Sequence, residues 1–194
     1  MTTANKITIA RILLVPFFVV FACYYINSEN EWFRLGALAS FVIAALSDGL
    51  DGYVARHYNQ RTELGTVLDP LADKVLLVAG IVILTLDTHG HFLRIPWWWT
   101  GTILGRDVLV VGGIIAVRCL RGKVKLHPRP SGKAASVLQM LVVIWILLKW
   151  HEQSFTILSW LQIMAGVLTI FSGLLYLWDA VQQLRDSRGN GSQR

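Results

Sequence analysis

Charge is scarce in this sequence. Asp, Glu, Lys and Arg make up 15% of its 194 residues, while 54% fall in the hydrophobic set. Typical soluble domains carry about 25% charged and about 45–50% apolar residues. A soluble domain of this length still exposes about a third of its surface and needs more polar side chains than are present. The shortage therefore excludes an ordinary soluble enzyme, and the apolar excess excludes a disordered or collagenous chain. Cysteine is almost as rare. Cys23 and Cys119 lie near the ends of two different apolar segments, which leaves no disulfide framework and no C-x-x-C site. There is no repeat, low-complexity segment or long linker. The early apolar run over 7–26 lacks a small-residue cleavage site of the A-x-A type, so it is expected to be a retained helix.

What is present is apolar sequence in six segments, at about 7–26, 33–47, 65–86, 97–118, 134–150 and 155–178. The second is short, but 48–57 can continue it as a helix. Six spans of about 20 residues use about 120, leaving only short loops and tails. The expectation is an all-α integral membrane protein with six transmembrane helices, forming a single domain over 1–194. The net charge of +6 would suggest nucleic acid for a soluble protein. Here it is better explained by anionic membrane lipid and the positive-inside rule, with no nucleic-acid partner. One set of connections collects Lys6, Arg11, Arg56, Arg61, Arg118, Arg121, Lys123, Lys125, Arg129, Lys133, Arg185, Arg188 and Arg194. The opposite set has only Arg34, Arg94 and Lys149. The asymmetry puts both termini in the cytoplasm. Trp32, Trp150 and the run Trp97–Trp99 then read as an interfacial aromatic belt.

The informative stretch runs from 47 to 74, SDGLDGYVARHYNQRTELGTVLDPLADK. Asp48 and Asp51 are three apart; Asp69 and Asp73 are four apart. On helices each spacing puts its pair on one face. The two segments are consecutive and joined by a short turn, so four carboxylates can converge between antiparallel neighbours at the membrane edge. Converging anions repel, and they are costly near hydrocarbon. Arg56 and Lys74 supply two positive charges; the remainder calls for a cation. Carboxylate-only ligands suit hard ions, and Mg²⁺ binds through a few carboxylates plus substrate phosphates. Two ions sharing four carboxylates fit a phosphoryl-transfer site. Gly49, Gly52 and Gly65 each cost a helix about 1 kcal/mol against alanine, which suggests that a bulky group approaches the backbone closely. Arg56 suits a bidentate phosphate contact. A purely structural ion-pair network would need more bases than the stretch supplies.

As spacing, the stretch reads D-x-x-D-G-x-x-A-R-x(8)-G-x(3)-D-x(3)-D, carried by Asp48, Asp51, Gly52, Ala55, Arg56, Gly65, Asp69 and Asp73. It resembles the signature of the CDP-alcohol phosphotransferase family at every position. Further likeness lies in Asn5-Lys6-Ile7-Thr8-Ile9-Ala10-Arg11, in Asp69-Pro70-Leu71-Ala72-Asp73-Lys74, in Gly105-Arg106-Asp107 and in Gly132-Lys133-Ala134-Ala135-Ser136-Val137-Leu138-Gln139. These look most like the bacterial members that make phosphatidylglycerophosphate. Asp107 stands in place of a Glu and Ser136 in place of a Thr, changes that keep the chemical type.

The resemblance implies transfer of a phosphatidyl group from CDP-diacylglycerol to glycerol 3-phosphate, with CMP leaving. The same chemistry with phosphatidylglycerol, inositol phosphate or serine as acceptor stays open. A cation channel with an acidic filter is disfavoured, because the acids cluster at one membrane face and not at the midplane. The resemblance further implies two Mg²⁺ or Mn²⁺ ions on Asp48, Asp51, Asp69 and Asp73, with Asp73 also the general base. It assigns Gly52, Ala55, Arg56 and Gly65 to the CDP group, helped by Asn5 and Thr8. Arg106 lies inside a span, where a charge is a functional candidate by default. It is the candidate for the acceptor phosphate, with Arg11 and Lys133 completing the pocket. A homodimer and a bacterial inner membrane, with the active site facing the cytoplasm, are implied by the same likeness.

Overall fold

The computed structural model describes residues 3–57, 63–87, 90–93, 95–121, 130–149 and 155–190. For 3–8, 48–57, 63–71, 73, 111, 113–121, 130–131, 155 and 179–190 the description is of the helix path alone. All regular structure among the described residues is helical: α1 Thr3–Ser28, α2 Glu31–His57, α3 Glu63–Leu86, α4 Trp97–Arg121, α5 Pro130–Leu148 and α6 Phe155–Asn190. Each apolar segment of the sequence becomes one of these helices. α2 does run on through 48–57, and α6 continues well past the apolar stretch to Asn190.

The chain divides into two compact units, Met1–Pro96 with Met140–Ser154, and Trp97–Gln139 with Phe155–Arg194. The first holds α1, α2, α3 and the C-terminal half of α5. Its core stacks Phe18 edge-on against Phe41 at 5.3 Å between centroids, and both are fully buried. Gly80 of α3 closes the layer. A Cβ there would stand 3.0 Å from Phe41 Cε2 and 3.1 Å from Val143 Cγ1, so any side chain would make these neighbours on α2 and α5 give by a few tenths of an ångström.

At the end of this unit away from the acidic motif, polar groups tie off the helix termini. Glu29 takes a positive φ of 56° and its N–H returns to the Tyr25 carbonyl, stopping α1. The Asn30 side chain accepts from Trp32 N–H at 3.1 Å and caps α2. Arg34 donates to the Leu147 carbonyl at 2.7 Å, covering an end of α5 that has no helical partner of its own. Lys149 Nζ donates to the buried Tyr25 hydroxyl at 2.6 Å, and Asp87 accepts from Phe92 N–H at 2.8 Å. Arg34 also pairs with Glu31, and that hydrogen bond holds the Glu31 carboxyl below its ordinary pKa.

The second unit holds α4, the N-terminal half of α5, and α6. Trp99 is fully buried and donates its indole N–H to the Gln162 carbonyl at 2.8 Å. Of the run Trp97–Trp99, only Trp97 and Trp98 keep the exposure expected of an aromatic belt, as Trp32 on α2 also does; Trp150 lies outside the described residues. Gln139 of α5 donates to Thr169 of α6 at 2.7 Å.

Among the described residues two helices are long and apolar enough to cross a membrane, over Ile9–Ser28 and Thr156–Trp178; shorter apolar stretches lie at Lys74–Leu86 and Gly132–Leu148. In the two long stretches only 28% and 33% of the residues are buried. Leu13, Phe17, Val20 and Tyr24 on α1, and Trp160, Val167, Leu174 and Trp178 on α6, face outward. A core helix of a soluble protein hides such residues; a helix bathed in lipid displays them.

Candidate active site

Packing in the first unit fixes the level of the acidic motif. Phe41 meets Gly80, and α2 ends at His57 six residues before α3 begins at Glu63, so the two helices run antiparallel. Seven residues of α-helix make about two turns and about 10.5 Å. Asp48 lies seven residues beyond Phe41, and Asp73 seven before Gly80. The two positions are therefore level across the α2–α3 pair, in the stripes that touch in the core. Gly52 and Asp69, each eleven residues from the same contact, return to those stripes after about three turns. Asp51 stands one turn from Asp48 on α2. All four aspartate positions fall within about 6 Å along the helix axes.

The side chains of these aspartates lie outside the described residues, as do those of Gly52, Ala55, Arg56, Gly65, Asn5 and Thr8; their backbones are helical throughout. Among the described side chains, no three His, Cys, Asp or Glu groups gather as a metal site. The donor set is nonetheless apt for hard divalent ions. It consists of two aspartate positions on each of two neighbouring helices, a residue type that suits such ions, with no sulfur or imidazole. Arg11 also belongs to this unit and is fully buried.

In the second unit the charged residue inside α4 is built into a socket. Arg106 Nη1 donates to Asp107 Oδ1 at 2.7 Å and Nη2 donates to Ser172 Oγ at 3.2 Å. The guanidinium lies over the Tyr176 ring, 5.7 Å from its centroid. Two glycines make room for it. A Cβ on Gly132 would stand 2.8 Å from Nη2, and one on Gly173 would stand 3.2 Å from Arg106 Cγ. Arg106 Nε is buried and finds no hydrogen-bond partner among the described residues. The G-K-x-x-S-x-x-Q stretch divides by face. Gly132 and Gln139 are buried against α6, Ser136 donates to the Gly132 carbonyl at 3.2 Å, and Lys133 points out, exposed. Sequence reading missed Ser172, Gly173 and Tyr176. The available signal was the polar and small residues Gln162, Thr169, Ser172, Gly173 and Tyr176 recurring at helical spacing within the otherwise apolar α6.

The architecture so far is that of a helical, membrane-associated protein with an acidic motif at the paired ends of two neighbouring helices. Residues 1–171 match the family model described as CDP-alcohol phosphatidyltransferase, and the chain belongs to that family. Curated relatives bear the name CDP-diacylglycerol--glycerol-3-phosphate 3-phosphatidyltransferase. One from Salmonella typhimurium is 31% identical over 190 residues, covering 95% of this chain and 93% of its own. One from Shigella flexneri is 30% identical with the same coverage. One from Haemophilus influenzae is 29% identical over 184 residues, covering 95% and 92%.

Proposed function

We propose that the protein is a phospholipid-synthesising transferase that moves the phosphatidyl group of CDP-diacylglycerol onto glycerol 3-phosphate, giving phosphatidylglycerophosphate and CMP. The observation that carries this reading is the likeness to relatives named for that reaction, which extends over 95% of the chain. The level placement of Asp48, Asp51, Asp69 and Asp73 supports it, because a diphosphate donor needs charge neutralised at one point.

In this reading the four aspartates hold two divalent ions, Mg²⁺ or Mn²⁺. When bound, the ions neutralise the diphosphate and stabilise the charge that develops on departing CMP. Asp73 accepts the proton of the attacking glycerol hydroxyl. The hydroxyl oxygen forms the new bond to the phosphatidyl phosphorus as the bond from that phosphorus to the CMP oxygen breaks. Arg56, Gly52, Ala55 and Gly65, with Asn5 and Thr8, hold the CDP group. Arg106 receives the acceptor's phosphate. Its buried Nε is a donor with no described protein partner, and such an orphan is costly unless a ligand completes it. Lys133, exposed one residue from the glycine that seats Arg106, adds a second cation. All six helices span the membrane, with both termini and the acidic motif on the cytoplasmic side of a bacterial inner membrane, and the chain works as a homodimer among lipids.

The test is CMP release by purified protein in detergent–lipid micelles, with CDP-diacylglycerol, Mg²⁺ and one acceptor at a time. Release is expected with glycerol 3-phosphate alone. Release only with phosphatidylglycerol, serine or inositol phosphate would overturn the acceptor and keep the chemistry. No release from folded protein with any acceptor would overturn the reading.

A further inference from the structure

Arg11 is as deeply buried as any residue of the chain, with no exposed surface. Its level can be read from the same core layer. α1 and α2 run antiparallel: Tyr24 stacks on Phe33, a Cβ on Gly36 would meet the Phe21 ring, and Phe18 meets Phe41. Arg11 lies seven residues before Phe18, Asp48 seven after Phe41, and Asp73 seven before Gly80. Each step is about two turns toward the same end of the unit. Arg11, Asp48 and Asp73 therefore stand level on three mutually packed helices, each in the stripe that meets the others in the core.

A guanidinium does not lose its proton, and burying one is expensive unless anions surround it. Four carboxylate positions at one level carry the opposite debt. We infer that Arg11 is the resident counter-charge of the acidic motif: a positioning residue that holds the carboxylates together before the divalent ions arrive, and not a ligand of the acceptor's phosphate. The inference rests on the reading of Asp48, Asp51, Asp69 and Asp73 as the ion site. It has two consequences of opposite sign. Without ions, Arg11 relieves repulsion among the carboxylates and stabilises the fold. With ions, it is one more positive charge beside them and weakens their binding.

The experiment compares wild type with Arg11→Gln in detergent. Thermal unfolding is followed in chelator and in saturating Mg²⁺, Mn²⁺ binding by electron paramagnetic resonance, and acceptor kinetics by CMP release. The inference expects R11Q to lose Tm in chelator and to regain most of it in Mg²⁺. It expects Mn²⁺ to bind R11Q about three- to tenfold more tightly, with KM for glycerol 3-phosphate within about twofold of wild type. Equal loss of Tm with and without Mg²⁺ would make Arg11 a packing residue and overturn it. So would a raised acceptor KM with unchanged Mn²⁺ affinity. Should R11Q not fold, the double variant R11Q/D48N, which removes one charge of each sign, is expected to fold; its failure overturns the inference as well. Wild-type protein that binds no Mn²⁺, or binds it equally after Asp69→Asn, would defeat the ion-site reading itself, and that result is distinct from the others.

Discussion

A glycine at 132 is worth more than its missing side chain. A Cβ there would stand 2.8 Å from Arg106 Nη2, and the guanidinium is held by Asp107 Oδ1, by Ser172 Oγ and over the Tyr176 ring. Gly132→Ala pushes against the far end of a flexible side chain, so the fold yields cheaply while the guanidinium is displaced. The expected result is a KM for glycerol 3-phosphate raised about tenfold, equivalent to about 1.4 kcal/mol, with Tm changed by no more than about 2 °C. A lower Tm with unchanged KM would make Arg106 and Asp107 a structural pair only. Asp73→Asn tests the other half of the chemistry. It removes the proton acceptor and a ligand charge together, so turnover is expected to fall by at least about a thousandfold, with the circular-dichroism spectrum unchanged. Retained turnover would remove Asp73 from the base role. Much of this residue-level picture is legible in sequence, because the acidic motif and the Lys133 stretch are short-range patterns. Ser172, Gly173 and Tyr176 were not. They matter through a contact across helices 66 residues apart in sequence, and helix rotation, not spacing, decides which residues meet.

Among the helices, the consequential contact is Gly80 against Phe41 and Val143. It sets how closely α3 lies to α2, and the two turns between it and the motif transmit that spacing to Asp48 and Asp73. Gly80→Ala puts a methyl 3.0 Å from Phe41 Cε2 and 3.1 Å from Val143 Cγ1, which is overpacking. Such changes cost about 1–3 kcal/mol. The expected outcome is a lower Tm in detergent together with weaker Mn²⁺ binding, since the carboxylate positions are spread. Phe41→Leu in the G80A background should recover part of both losses; additive effects of the two changes would show that this contact does not set the spacing. Helix identity was readable from apolar runs, including the continuation of α2 through 48–57, where small and charged residues interrupt the run but none forbids a helix. Trp99 was misread as part of the aromatic belt. Trp97 and Trp98 are exposed, but one further residue turns the helix by about 100° and brings Trp99 inward onto the Gln162 carbonyl.

For the molecule as a whole the question is which helices cross the bilayer. By apolar length alone α1 and α6 qualify. A two-span arrangement would leave α2 through α5 on the far side of the membrane, with the acidic motif among them. The charge asymmetry argues for six spans, because Arg118, Arg121, Lys123, Lys125 and Arg129 cluster around the α4–α5 connection and resist translocation. Packing agrees within each unit: α1, α2 and α3 alternate in direction, and α5 runs against α6 where Gly132 nears Ser172 and Gln139 meets Thr169. Single cysteines placed in a chain freed of Cys23 and Cys119 decide between the two arrangements. Ser28→Cys, at the exposed end of α1, should react with a membrane-impermeant maleimide on intact bacterial cells under either arrangement. Lys125→Cys separates them. Six spans keep it unlabelled until the membrane is permeabilised, and two spans expose it from the start. Labelling of Lys125→Cys on intact cells would therefore move the acidic motif away from the cytoplasm, the side on which the proposed reaction needs it. The protected result would place Asp48, Asp51, Asp69 and Asp73 at the membrane face that a water-soluble acceptor and a lipid donor can both reach.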